Sequence, residues 1–131
     1  DYFIDYVINE WKDHADFSYE IDGKFPAEVD LNYRERCILW GNAMDNVKEA
    51  LEKAEKPFFE IHISHGGRAV FVEMINSCEI KEGNILKTKK ADRSQHGIGT
   101  ANMRDIVKQN GGEITWHYEE GKMHVTISLL I

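Results

Sequence analysis

Cysteine and proline are scarce in this chain of 131 residues, with two of each. Cys37 and Cys78 lie far apart and match no metal-ligand spacing, which excludes a disulfide framework and a cysteine-based zinc site and favours reduced thiols in a cytosolic setting. No stretch approaches the roughly 20 apolar residues of a membrane span, and the first residues lack the basic start and apolar core of a signal peptide. Basic side chains are also short: 16 Lys and Arg stand against 23 Asp and Glu, a net charge of −7. That balance opposes non-specific attraction to nucleic acid or anionic lipid. Internal repeats and low-complexity segments are missing. So are a P-loop and a dinucleotide fingerprint behind a strand, which disfavours Walker-type and nicotinamide enzymes.

What is there suffices for one domain spanning residues 1–131, long enough to bury a core without covalent staples. The chain lacks an initiator Met and opens inside a helical pattern (Tyr2, Phe3, Tyr6, Val7, Trp11), as expected of a domain cut from a longer polypeptide. Residues 1–14 read as the end of a helix, and "DFSYEID" alternates like a strand before a turn at Gly23 and Pro26. Asp30 can cap a long helix whose apolar positions Cys37, Trp40, Ala43, Met44, Val47, Ala50, Leu51 and Ala54 recur at three- and four-residue steps; Pro57 marks its end. "FFEIHIS" and "RAVFVEMIN" flank Gly66-Gly67, a hairpin signal. From Cys78 to His96 the periodicity vanishes over a length unusual for an ordinary connection, so this basic segment is a candidate lid. Thr100 to Gln109 then reads as a helix ended by Asn110-Gly111-Gly112, followed by a second hairpin turning at Glu120-Gly121. This order implies an antiparallel or mixed sheet with helices on one face.

The long helix carries a second stripe. Asn42, Asp45, Asn46, Glu49 and Lys53 fall within an arc of roughly 100° opposite the apolar one. A solvated face explains most such stripes, yet Asn and Asp inside a helix each cost roughly 0.5–0.7 kcal/mol relative to Ala, where Glu, Lys or Gln would serve solvent better. Their short, hard oxygens suit Mg²⁺ and its waters, and Glu49 could order a water or accept a proton. A phosphate nearby would give these options a purpose. Gly97 and Gly99 in "HGIGT" permit close backbone approach at a helix mouth, where unpaired N–H groups and the positive dipole end favour an anion; a tight turn packed through small residues is the alternative. His62, His65, His117 and His124 show no metal spacing and read as surface or packing residues. Trp11, Trp40 and Trp116 read as core or domain-contact residues.

Taken jointly, "GNAMDNVKEAL" on a long helix, "VFVEMINS" on a strand, a lid containing "LKTKKAD" and "HGIGTANM" opening a helix occur in an order that resembles the ATP-binding catalytic domain of sensor histidine kinases. Those domains belong to the GHKL group, with gyrase, heat-shock chaperones and MutL; the sequence looks most similar to the quorum-sensing peptide-receptor branch typified by AgrC. The resemblance runs from about residue 5 to the end. It implies an α+β fold, a two-layer sandwich with a mixed, mostly antiparallel sheet covered by three helices, and an ATP lid. It implies ATP and Mg²⁺ as cofactors. Asn46 would ligate the metal, Asn42 would lie near the phosphates, and Asp45 and Glu49 would border the same face. Gly97, Ile98, Gly99 and Thr100 would wrap the phosphates, with Lys90 and His96 as further contacts; Lys89, Lys90 and Arg93 are equally readable as solvated lid charges.

The sequence departs from the family at the first glycine box. Most histidine kinases have an Asp there, followed by glycines; this chain has "INSCEI", with Asn76 at the matching position, and the receptor branch shows a similar Asn. Thr100 also stands where an apolar residue is common, and its hydroxyl could cap the helix instead. The implied partners are an upstream dimerisation domain bearing the acceptor histidine, a membrane sensor that places this domain on the cytoplasmic side, and a response regulator, in a protein that is a homodimer when full length. Two rival readings share the fold: an anti-sigma-type Ser/Thr kinase, and a degenerate nucleotide-sensing or dimerisation module.

Overall fold

In the computed structural model the described residues are 9, 17–26, 28–78 and 97–131. They form β1 (Ser18–Asp22), α1 (Tyr33–Lys53), β2 (Phe58–Gly66), β3 (Ala69–Ser77), α2 (Gly97–Asn110), β4 (Glu113–Glu119) and β5 (Lys122–Leu130). The expected first helix and the expected lid lie outside the described residues, apart from Asn9 and Cys78.

The five strands make one sheet in the order β1-β2-β3-β5-β4. β1 runs parallel to β2 and every other pairing is antiparallel, so the sheet is mixed and mostly antiparallel as expected. Both helices cover one face. The core joins Leu39, Trp40, Met44, Val47 and Leu51 of α1 and Met103, Ile106 and Val107 of α2 to Phe59, Ile61, Val70, Val72, Met74, Ile127 and Leu129 of the sheet. Trp40 packs edge-on against Phe25, with ring centroids 5.1 Å apart.

The long helix starts later than expected. Its N-cap is Asn32, not Asp30: the Asn32 side chain accepts from the Glu35 backbone N–H at 2.8 Å, and the Glu35 carboxylate accepts from the Asn32 N–H at 2.9 Å. This reciprocal box satisfies two donors that a lone carboxylate further upstream would leave open. Arg36 then ties the preceding loop to the helix by donating to the carbonyls of Leu31 and Val29, each at 2.9 Å. α1 ends at Lys53 with Ala54 as its cap, before Pro57.

Two other boundaries also shift. The first hairpin turns on Gly67 and Arg68, since Gly66 is still paired with Ala69. α2 begins at Gly97 rather than Thr100, so Thr100 is the fourth residue of the helix and not its cap. The C-terminus of α2 behaves as read. Gly111 takes φ +92°, and the amides of Gly111 and Gly112 donate to the carbonyls of Lys108 and Val107 at 2.9 and 3.0 Å, the paired bonds of a Schellman end. Asn110 locks that end to the sheet, accepting from Leu130 N–H at 2.7 Å.

The face of the sheet opposite the two described helices is largely polar. Glu20, Glu60, Ile75, His124 and His117 form one row across all five strands. In the neighbouring row His62 stands between Asp22 on β1 and Glu73 on β3. A hydrogen bond to the Glu60 carboxylate holds the His62 imidazole above its ordinary pKa; burial opposes this, and the charges of Glu60 and Glu20 and a hydrogen bond to Asp22 add to it.

A Cβ at position 112 would overlap the Ser128 carbonyl oxygen. Gly112→Ala is therefore expected to cost about 1–3 kcal/mol, the usual range for overpacking, in urea unfolding. The histidine sets a pH dependence. A folded pKa raised above the unfolded value of about 6.5 stabilises the fold fully below that value, and the contribution disappears as pH rises through the folded value. His62→Asn should thus destabilise more at about pH 5.5 than at about pH 9; unfolding midpoints at the two pH values check the sign.

Candidate functional site

The site grows from the way α1 and α2 meet. Along α1 the residues Leu39, Ala43, Met44, Val47 and Leu51 are buried, Asn42 and Asn46 are half-buried at the edge of that stripe, and Asp45 and Glu49 are exposed. The structure thus divides the expected polar stripe in two. Its amides lie where the helix turns from core to solvent, and its carboxylates lie beyond them.

α2 places Met103, Ile106 and Val107 in the core, and Gly99, one turn before Met103, faces the same side. A Cβ on Gly99 would come within 3.1 Å of Asn42 Oδ1 and 3.5 Å of its Cγ. Gly99 lies inside the helix, and its glycine identity is explained by this approach rather than by an unusual φ. Gly97 and Gly99 are thus helical and form no tight turn. The consequence of the approach is that the first turn of α2, whose N–H groups have no intrahelical acceptor, is held beside the Asn42 amide. Thr100 is half-buried in the same turn. Gly97 and Ile98 are helical in that turn, while the Ile98 side chain, Lys90 and His96 lie outside the described residues.

Asn76 arrives from the sheet. It is in phase with Val70, Val72 and Met74, so it points toward the helical layer, and it is 4% exposed. It is a strand residue, paired with Phe59 and Met123. Its Nδ2 donates to the Ser77 carbonyl at 2.9 Å. Sequence reasoning passed over Ser77, whose buried hydroxyl accepts from Phe58 N–H at 3.1 Å and donates to the Phe58 carbonyl at 3.4 Å. That pair fixes the end of β3 against β2 and so positions Asn76. The serine stands beside Asn76 in "INSC", but only strand pairing shows what it bonds.

Chemically, an amide oxygen on α1, a second amide one turn on, and the backbone N–H groups at the mouth of α2 suit a ligand with several anionic oxygens and a hard cation. A sequence profile described as "GHKL domain" matches residues 31–130. The chain belongs to the GHKL domain family. Comparison with curated proteins gives no match.

Solved structures share the fold of this GHKL domain. It superposes on the catalytic domain of the histidine kinase ThkA with a TM-score of 0.69 at 21% identity, covering 98% of this chain and 89% of that one. The histidine kinase AdeS of Acinetobacter baumannii gives 0.67 at 16% identity, and a histidine kinase domain from the blue-light activated kinase EL346 of Erythrobacter litoralis gives 0.69 at 15%. The chain spans 62% of the length of each of those two. At such identities the likeness establishes the fold.

The contact between Gly99 and Asn42 can be measured. Gly99→Ala gains helix propensity of about 1 kcal/mol but presses on the Asn42 amide. A double-mutant cycle with Asn42→Ala is expected to show a coupling of about 0.5–1 kcal/mol in urea unfolding, with Gly99→Ala more favourable once the amide is removed.

Proposed function

We propose that this GHKL domain binds Mg-ATP between the mouth of α2 and the amide-bearing edge of α1, and that in its parent protein it serves phosphoryl transfer to a histidine. The observation that carries the reading is the approach of Gly99 to Asn42. It sets the backbone N–H groups of a helix's first turn beside a side-chain amide, where phosphate oxygens and their cation need opposite partners. The residues present fit that ligand. Asn46 would hold the metal, and Asn42 would stand beside the phosphates with the N–H groups of residues 97–100. Asp45 and Glu49 form the exposed margin, where Glu49 would order a water or accept a proton. When bound, Mg-ATP supplies the transferable phosphoryl group and the charge that offsets it.

What the chain itself contributes is orientation. Amides and backbone donors fixed on two packed helices need no reorganisation when a ligand arrives, and such positioning carries most of the catalysis in phosphoryl transfer. Asn76 would read adenine, its carbonyl accepting from the exocyclic amine and its amide donating to a ring nitrogen or a water. A neutral amide gives a weaker hydrogen bond than the carboxylate usual at this position, so modest affinity follows. Lys90 and His96 are further phosphate contacts in this reading.

For the parent protein, the shared fold with histidine kinase catalytic domains supports a homodimeric membrane sensor. This domain would be cytoplasmic, an upstream dimerisation domain would carry the acceptor histidine, and a response regulator would receive the phosphoryl group. Asn76 in place of aspartate supports the quorum-sensing peptide-receptor branch. One observation favours a second reading: no glycine follows Asn76 in "INSCEI", as in a degenerate, non-catalytic module.

Titration with a non-hydrolysable ATP analogue, with and without Mg²⁺, separates the two. The expected result is Mg²⁺-dependent binding whose metal dependence is abolished by Asn46→Ala. An unchanged metal dependence removes Asn46 from that role, and no binding by the native domain establishes the degenerate module.

A further inference from the structure

We propose that the face of the sheet opposite the described helices carries a second cation site, for a transition-metal dication of the zinc type, with His62, Glu60 and Glu20 as ligands and Asp22 orienting the imidazole. Ile61 and Ile63 are buried under the helices, so His62 between them projects from the opposite face, away from the Asn42–Gly99 contact. One ligand atom from each of Glu20, Glu60 and His62 lies within 4.8 Å of the other two. His62 Nε2 is 3.2 Å from Glu60 Oε2, close to the roughly 3.4 Å that separates donors around a tetrahedral zinc with bonds of about 2.0–2.2 Å.

Two features of the strand pairing go beyond proximity. First, the parallel register sets Glu20 directly opposite Glu60. Like charges facing across a ladder are destabilising, and a dication between them reverses the sign of that interaction. Second, the other imidazole nitrogen faces a carboxylate: His62 Nδ1 is 3.7 Å from Asp22 Oδ2. An imidazole directed at carboxylate ligands through one nitrogen and backed by a carboxylate at the other is the outer-shell arrangement that fixes tautomer and ring orientation at zinc centres.

The donor set selects the class of ion. An imidazole suits Zn²⁺, Ni²⁺ or Cu²⁺, whereas Mg²⁺ and Ca²⁺ prefer oxygen alone. Three protein ligands leave a position open to solvent, and the His62 and Glu60 side chains are 34% and 36% exposed, which gives an ion access. The site joins β1 to β2, the one partner strand of β1 among the described residues. Its occupation therefore clamps an edge strand to the sheet.

The test uses untagged, chelator-stripped domain at about pH 8, where imidazole is available as a ligand. Zn²⁺ binding is measured by calorimetry, Co²⁺ absorption reports coordination, and Tm is read with and without Zn²⁺. One ion per chain and a raised Tm are expected. His62→Ala and Glu60→Gln should each weaken binding at least about tenfold, and Asp22→Asn about 10–100-fold, while Asn46→Ala and the double variant His117→Ala/His124→Ala bind as the native domain does. Native-like affinity in His62→Ala or Glu60→Gln, loss of binding in Asn46→Ala or in the His117/His124 variant, or no binding by the native domain overturns the proposal. The isosteric Glu60→Gln and Asp22→Asn variants keep the test meaningful should His62→Ala unfold.

Discussion

Two helices can share one face of a small sheet only if their near ends accommodate each other, and here the accommodation is the missing side chain of Gly99. With a Cβ at that position the Asn42 amide would have to give way by a few tenths of an ångström. The rest of α2 is anchored independently, by Met103, Ile106 and Val107 in the core and by Asn110 and the Gly111-Gly112 end against the sheet. Its first turn therefore has little freedom. The donors that every helix leaves open at its start are delivered to one place, beside an amide that α1 holds at the boundary of its own apolar stripe. The proposed nucleotide site depends on that fixed relation more than on any single polar residue.

Features set by neighbours in sequence were legible before the fold was known. The two hairpins, the apolar stripe of α1 and the Asn110-Gly111-Gly112 helix end rest on turn chemistry and periodicity. The errors are informative at the same scale. Asp30 was an acceptable cap, but Asn32 with Glu35 three residues on satisfies two donors, and that signature was present in "NYRE". Leu39, fully buried, was passed over on the same face as Ala43 and Val47. The stripe holding Asn42 and Asn46 was found from helix geometry, whereas its division into half-buried amides and exposed carboxylates required the partner helix.

Relations across strands were not legible. Glu20 meets Glu60 through a parallel pairing that closes only after the whole of α1 has intervened, and no local spacing encodes that register. The histidines were accordingly read as surface or packing residues; His117 is 68% exposed in its side chain. His62 differs because β1 and β2 bring Asp22 to one of its nitrogens and Glu60 to the other. Ser77 was missed for the same reason: its bonds to Phe58 join the C-terminal end of β3 to the start of β2.

The distribution of charge between the two faces bears on how an anionic ligand could bind at all. A domain of net charge −7 repels a triphosphate at long range, so attraction has to be generated locally. At the inward positions 42, 46 and 76 the side chains are amides, which add no negative charge, and the carboxylates of Asp45 and Glu49 are exposed on the solvent side. The open end of α2 contributes partial positive charge where the phosphates would lie. Four acidic groups, Glu20, Asp22, Glu60 and Glu73, instead gather in a patch on the opposite face of the sheet. Separating amides from carboxylates across a single sheet lets a strongly acidic domain keep one surface suited to phosphate while the other gathers donors for a cation.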